Sequence, residues 1–209
     1  MRLLFTLFVL IFSFPAWSST VLVVGDSISA AYGLAEKDGW VELAETELLE
    51  QDSEIEFINA SISGDTTSGG VSRLPEALKR FTPDLVVIEL GGNDGLRGYS
   101  LKDMRQNLTT MVETSESAGA EVLLLGMQIP TNYGAAYTRR FAQIYEKVAE
   151  STGAALVPFF LEPMAQDRDY FQRDGVDPTA DAQPLLVEHV ISELAQLLKL
   201  GELNDAAAD

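Results

Sequence analysis

Five apolar runs of strand length divide this chain: Val21 to Val24, Ile55 to Ala60, Leu85 to Leu90, Val122 to Met127 and Ala155 to Pro158. Each is too short for a buried helix and rich in Val, Ile and Leu, the pattern of strands covered on both faces. Between them lie helix-period patterns at Trp40 to Leu49, about Val71 to Phe81, Leu101 to Ala118 and Tyr137 to Ala149. A last one runs from Ala182 to Leu200, with apolar residues at 186, 190, 194, 197 and 198. This alternation predicts an α/β fold, a five-stranded parallel sheet between two helix layers, or three-layer α/β/α sandwich. A chain of 209 residues with 46% hydrophobic content buries one sizeable core, so residues 19–209 are expected to form one domain.

Residues 1–18 stand apart. Arg2 precedes an apolar stretch, Leu3 to Phe14, and Pro15-Ala16-Trp17-Ser18 places small residues at 16 and 18. That is the layout of a cleavable secretory signal, and the stretch is shorter than the roughly 20 residues a membrane-spanning helix needs. With no cysteine, the chain has neither disulfides nor an N-terminal cysteine for lipid attachment. A soluble periplasmic or secreted protein is expected, without stable membrane insertion and as a monomer. The 14 Lys and Arg against 32 Asp and Glu give a net charge of −18, which argues against nucleic acid or an anionic membrane as a standing partner. A lone histidine and no cysteine cannot complete a usual zinc set, so neither metal nor cofactor is expected.

Ligands of parallel sheets gather outside the carboxyl ends of the strands. Short polar motifs begin at or just after the first three such ends: Gly25-Asp26-Ser27, Ser63-Gly64-Asp65 and Gly91-Gly92-Asn93-Asp94. A fourth, Asp174-Gly175-Val176-Asp177-Pro178, comes late in the chain. Ser27 is placed where a turn could expose a nucleophilic hydroxyl, although Asp26 and Ser27 also suit a plain turn or helix cap. Gly64 could offer an unobstructed backbone N–H and Asn93 a side-chain NH2 to a developing oxyanion; a turn glycine and an Asx turn read equally well from the residues alone.

The blocks VLVVGDSISAAYG, INASISGDTTSGGVSRLP, LVVIELGGNDGLRG and QRDGVDPTADAQP together resemble those of the GDSL, or SGNH, hydrolases, within them the bacterial periplasmic thioesterases, lysophospholipases and arylesterases. The resemblance spans about Val21 to Leu198. It implies a flavodoxin-like strand order 2-1-3-4-5, a nucleophilic Ser27, and an oxyanion hole from Ser27 N–H, Gly64 N–H and the Asn93 side chain. It implies that Asp174 orients a base three residues later. In the family that base is a histidine, whereas this chain has Asp177. A carboxylate, with its ordinary pKa near 4, is a far weaker base than an imidazole near 6.5. His189 lies about eight residues into the last helix, roughly 12 Å along it, and is not expected to substitute.

The segment after the fourth strand, with Met127, Ile129, Pro130 and Tyr133, resembles the family's loop over an acyl-binding groove. With Leu96 and Phe160 it would line an apolar channel, or else pack as an ordinary loop. Arg97, Arg139 and Arg140 suit a phosphate, coenzyme A or simple solubility. The expected activity is hydrolysis of a small-molecule carboxylic ester, acyl thioester or lysophospholipid through an acyl-serine, strongly impaired by Asp177. The alternative is a non-catalytic acyl or lipid binder on the same fold.

Overall fold

The computed structural model describes residues 19–50 and 54–198; the expected signal (1–18) and the tail from Asn204 lie outside it. Five strands form one sheet: β1 (Ser19–Gly25), β2 (Ile55–Asn59), β3 (Leu85–Glu89), β4 (Glu121–Leu125) and β5 (Ala155–Val157). Their order is β2-β1-β3-β4-β5, all parallel. The helices are α1 (Trp40–Leu49), α2 (Thr67–Phe81), α3 (Gly92–Leu96), α4 (Leu101–Ser117), α5 (Ala135–Thr152) and α6 (Gln183–Leu197). The chain steps outward from β1 to β2 and then back past β1 to β3. Right-handed crossovers therefore send α1 to one face and α2, α4 and α5 to the other. Helix packing agrees: α1 meets α6, while α2 meets α4 and α4 meets α5.

The inner strands are mostly apolar because both faces are covered; all of Leu85–Glu89 is buried, its one acid included, whereas the edge strand β2 exposes Glu56. Two helices are longer than their periodicity suggests, for local reasons. Helix α2 begins at Thr67 rather than Val71 because the Thr66 hydroxyl accepts the Gly69 N–H (3.4 Å), capping a Thr-Ser-Gly-Gly stretch of poor helix formers. Helix α5 runs on to Thr152 and stops at Gly153, whose φ of 89° suits glycine.

Trp40 fastens the start of α1 to the start of α6. Fully buried at the start of α1, it donates its backbone N–H to Gln183 Oε1 (2.9 Å) and its indole N–H to Ser29 Oγ (3.1 Å). Its ring meets Phe160 edge-on at 5.2 Å. The strand order reverses at β1, so the chain diverges between the ends of β1 and β3, the crevice where such sheets hold ligands. The register there pairs Gly25 with Glu89 and delivers Asp26-Ser27 and the Gly91-Gly92-Asn93 turn side by side.

Candidate active site

Ser27 follows β1 in a single helical turn, with Ala30 N–H donating to Asp26 O and Tyr32 N–H to Ser27 O, each at 3.0 Å. Asp26 caps this turn by accepting Ile28 N–H on Oδ1 (3.2 Å). Only glycine fits before it: a Cβ on Gly25 would lie 2.6 Å from Ser29 Cβ and 2.9 Å from Glu89 Oε2. The sharp exit from the strand leaves Ser27 partly exposed on the wall of a cleft.

Asn93 lies in the first turn of α3 and faces the same cleft. Its amide orientation is held from both ends. Nδ2 donates to Asp26 Oδ2 (2.9 Å), and Oδ1 accepts from Arg97 Nη2 (3.3 Å). One N–H of the amide is thereby used, leaving the second to be aimed elsewhere. Gly64, at φ 78°, does not line the cleft itself, but the same Arg97 Nη2 donates to its carbonyl (2.9 Å) and ties it to Asn93. Arg97 is thus engaged in holding these two positions together.

The late acidic motif folds back against the serine. Asp174 is exposed and spends Oδ1 on the N–H groups of Val176 (2.9 Å) and Asp177 (3.1 Å), shaping the turn. Gln172 Nε2 donates to Tyr32 O (2.7 Å) and Pro178 O (3.1 Å), pinning this loop to the Ser27 loop. Asp177 is buried, 8% exposed, and its Oδ1 has no hydrogen-bond partner. Burial raises its pKa above the usual carboxylate range. The Ser27 hydroxyl beside it opposes that shift, and the charge of Asp174 adds to it.

The whole cleft encloses about 480 Å³, and beyond these polar groups its wall is largely apolar, with Leu96, Met127, Ile129, Phe159, Phe171 and Val176 contributing. Pro130 lines it as well. Two expected lining residues do not. Phe160 is fully buried in the core against Trp40, and its neighbour Phe159 takes the cavity side. Tyr133 turns outward, 42% exposed, and its hydroxyl donates to Leu96 O (3.2 Å). Arg168 stands at the cavity edge, whereas Arg139 and Arg140 lie exposed on α5 without contact to it. His189 Nε2 pairs with Phe159 O (3.1 Å) behind the cavity wall, outside the lining.

Beneath the Ser27 turn lies a group that sequence reading passed over. Glu89, fully buried at the end of β3, accepts Asp26 N–H (3.2 Å) and the Ser29 hydroxyl (2.9 Å) on Oε2. Burial, and then the charge of Asp26, push its pKa well above the usual range. Burial likewise raises Asp26, to about 6, against the lowering effect of the Ile28 N–H, Glu89 and Asn93. Among the described residues no group of three His, Cys, Asp or Glu could hold a metal ion, and no helix is long and apolar enough to cross a membrane.

Residues 23–184 match the model of the GDSL-like Lipase/Acylhydrolase family. The chain is 49% identical over 183 residues to the esterase TesA of Pseudomonas aeruginosa, covering 88% of this chain and 91% of that protein. It is 38% identical over 193 residues to thioesterase 1/protease 1/lysophospholipase L1 of Escherichia coli K12, covering 92% and 91% respectively. Among solved structures, the psychrotrophic esterase EstA from Pseudoalteromonas superposes with a TM-score of 0.82 at 40% identity, covering 87% of this chain and all of that one.

Proposed function

The chain belongs to the GDSL-like lipase/acylhydrolase family, one of carboxylic ester hydrolases, and from that premise we propose that Ser27 is an acyl-accepting nucleophile working with a substitute base, Asp177. The observation that carries this reading is the meeting of Ser27, Asn93 and an apolar cavity in one cleft, with Asp177 buried against the serine. An acyl chain would occupy the cavity with its carbonyl oxygen toward Asn93, Gly64 N–H and Ser27 N–H. Ser27 Oγ attacks the carbonyl carbon, its proton passes to Asp177, and the tetrahedral oxyanion collapses with expulsion of the alcohol or thiol. Water then repeats the sequence on the acyl-serine.

The weak half of this cycle is proton acceptance. A carboxylate with a raised pKa is a better base than an ordinary one but still falls short of an imidazole. Loss of the histidine in comparable triads costs on the order of 10⁴- to 10⁶-fold in turnover. The protonated Asp177 would be a competent acid toward a departing alkoxide, and a thiolate needs little help. Aryl esters and thioesters should therefore suffer least. Lysophospholipids and simple carboxylic esters are the other substrates this cleft suits. The signal read at residues 1–18 would place this activity in the periplasm or medium.

Turnover of a p-nitrophenyl ester by the chain and by Asp177→His tests the proposal. The expected gain is at least about 10³-fold, and a folded Asp177→His protein with no gain would refute it. The orphaned Asp177 Oδ1 favours a second reading, an acyl binder that has lost its chemistry. Fatty acid binding with no fluorophosphonate labelling of Ser27, before or after the Asp177→His change, would select it.

A further inference from the structure

We propose that Glu89 is a neutral acid stored beneath the nucleophile turn, a positioning residue whose proton fixes Asp26 and, through it, the Asn93 amide. The hydrogen bonds assign the proton. Asp26 is surrounded by donors, Ile28 N–H on Oδ1 and Asn93 Nδ2 on Oδ2, as a carboxylate requires. Glu89 Oε2 accepts two hydrogen bonds, from Asp26 N–H and Ser29 O–H, as the carbonyl oxygen of an acid would. Glu89 Oε1 is buried with no donor in reach, and its side-chain neighbour is the Asp26 carboxyl. A buried oxygen without a donor is satisfied only if it carries the proton and donates it, and the adjacent Asp26 carboxylate is an acceptor for that proton. Two adjacent buried carboxyls cannot both ionise cheaply, and a shared proton resolves the conflict.

The surroundings offer no other compensation. Near the pair stands Tyr145 of α5, whose hydroxyl donates to Leu90 O (3.0 Å); Asp94 of α3, also near Tyr145, is spent on Thr67 N–H (3.0 Å) and its hydroxyl (2.6 Å). Asp177, from the late loop, adds a further negative charge near Asp26. The nearest cations are committed elsewhere: Arg73 to Asp65, Ala60 O and Gly25 O, and Arg97 to Gly64 O and Asn93 Oδ1. Trp40 closes the far side through Ser29. Loss of the proton would set two carboxylates against each other directly under Ser27, and the Asn93 amide, bonded to one of them, would shift with it.

The stored proton stands apart from the hydrolase reading; its catalytic consequence rests on that reading, and separate measurements address each. Infrared spectra of the full chain at neutral pH should show the carbonyl band of a protonated carboxyl that disappears in Glu89→Gln. The melting temperature of Glu89→Gln, which keeps the donor and cannot ionise, should gain on the parent as pH rises. The absence of that band, or parallel melting curves, overturns the proposal. In the Asp177→His background, kcat should fall at alkaline pH, and Glu89→Gln should remove that fall. Glu89→Leu should lower kcat about ten- to a hundredfold with KM little changed; should it not fold, Glu89→Gln alone decides. An alkaline fall unchanged by Glu89→Gln overturns the positioning role. An inactive Asp177→His protein that still shows the band and the melting shift would instead refute the hydrolase reading and support the stored proton.

Discussion

Asp177 shows how far one atom set decides chemistry. Burial raises its pKa, so it must lose its proton at a higher pH than an ordinary carboxylate before it can take one from Ser27. Any turnover by the unaltered chain should therefore climb with pH through a midpoint above about 4, and Asp177→Asn should abolish it; a pH–rate profile of both proteins checks this. Arg97, exposed yet bonded to Gly64 O and Asn93 Oδ1, should matter to rate more than to stability. Arg97→Ala in the Asp177→His background is expected to lower kcat several-fold, about the worth of 1 kcal/mol of charge-assisted bonding, with an unchanged melting temperature. At this scale the sequence was informative about where Ser27 and Asn93 lie, since their motifs sit at strand ends and both line one cleft, and misleading for Phe160, read as a cavity residue. Phe159 and Phe160 follow the three-residue strand β5 as irregular chain, where alternation no longer tells which ring faces the cavity. Glu89 was readable in principle, as a single acid closing an otherwise apolar run, but its partner Asp26 is 63 residues away and only the register joins them.

Elements bring these residues together by ending at the same edge. Every motif but the last leaves one of three adjacent strands, β2, β1 and β3, and α2 braces that edge from behind. Arg73 of α2 forms an ion pair with Asp65 (2.8 Å) and donates to Ala60 O and to Gly25 O (3.3 Å), stitching the loop after β2 to the end of β1. Arg73→Leu keeps the aliphatic packing but orphans the Ala60 carbonyl and leaves Gly25 O with the Ile62 N–H alone (3.0 Å); it should cost about 1–3 kcal/mol, measurable by denaturant unfolding. Gly91 is a second such point. Its φ is 116°, and an added Cβ would run into the Tyr145 hydroxyl. Gly91→Ala should therefore destabilise the fold and displace Asn93, read as a lower melting temperature. Strands and helices were legible from periodicity because burial on two faces leaves such a plain pattern. Helix starts were legible at Trp40 and Leu101 but not in α2, where the Thr66 cap overrides the weak propensity of the residues it begins.

For the whole molecule, charge and buried acids act in the same direction. Asp26, Glu89 and Asp177 all hold protons more tightly folded than unfolded, so the native state binds more protons and stability falls as pH rises. That contribution is full below the unfolded carboxylate values near 4 and is lost as pH climbs through the raised folded ones, about 6 for Asp26. The net charge of −18 adds self-repulsion in the same sense. The melting temperature should accordingly be higher near pH 5 than near pH 8, and added salt should narrow the difference by screening; a calorimetric pH series checks both. The architecture itself was legible from five alternations of strand and helix, whereas the union of distant loops required the sheet order to be seen. The Trp40 seam has a practical corollary. Ser27, Gly64 and Asn93 all precede the exposed stretch 131–134, and Asp174 and Asp177 follow it, so one nick there would put nucleophile and base on separate fragments. The Gln183, Phe160 and Gln172 contacts would be left to reunite them, making recovered turnover a direct gauge of fragment complementation.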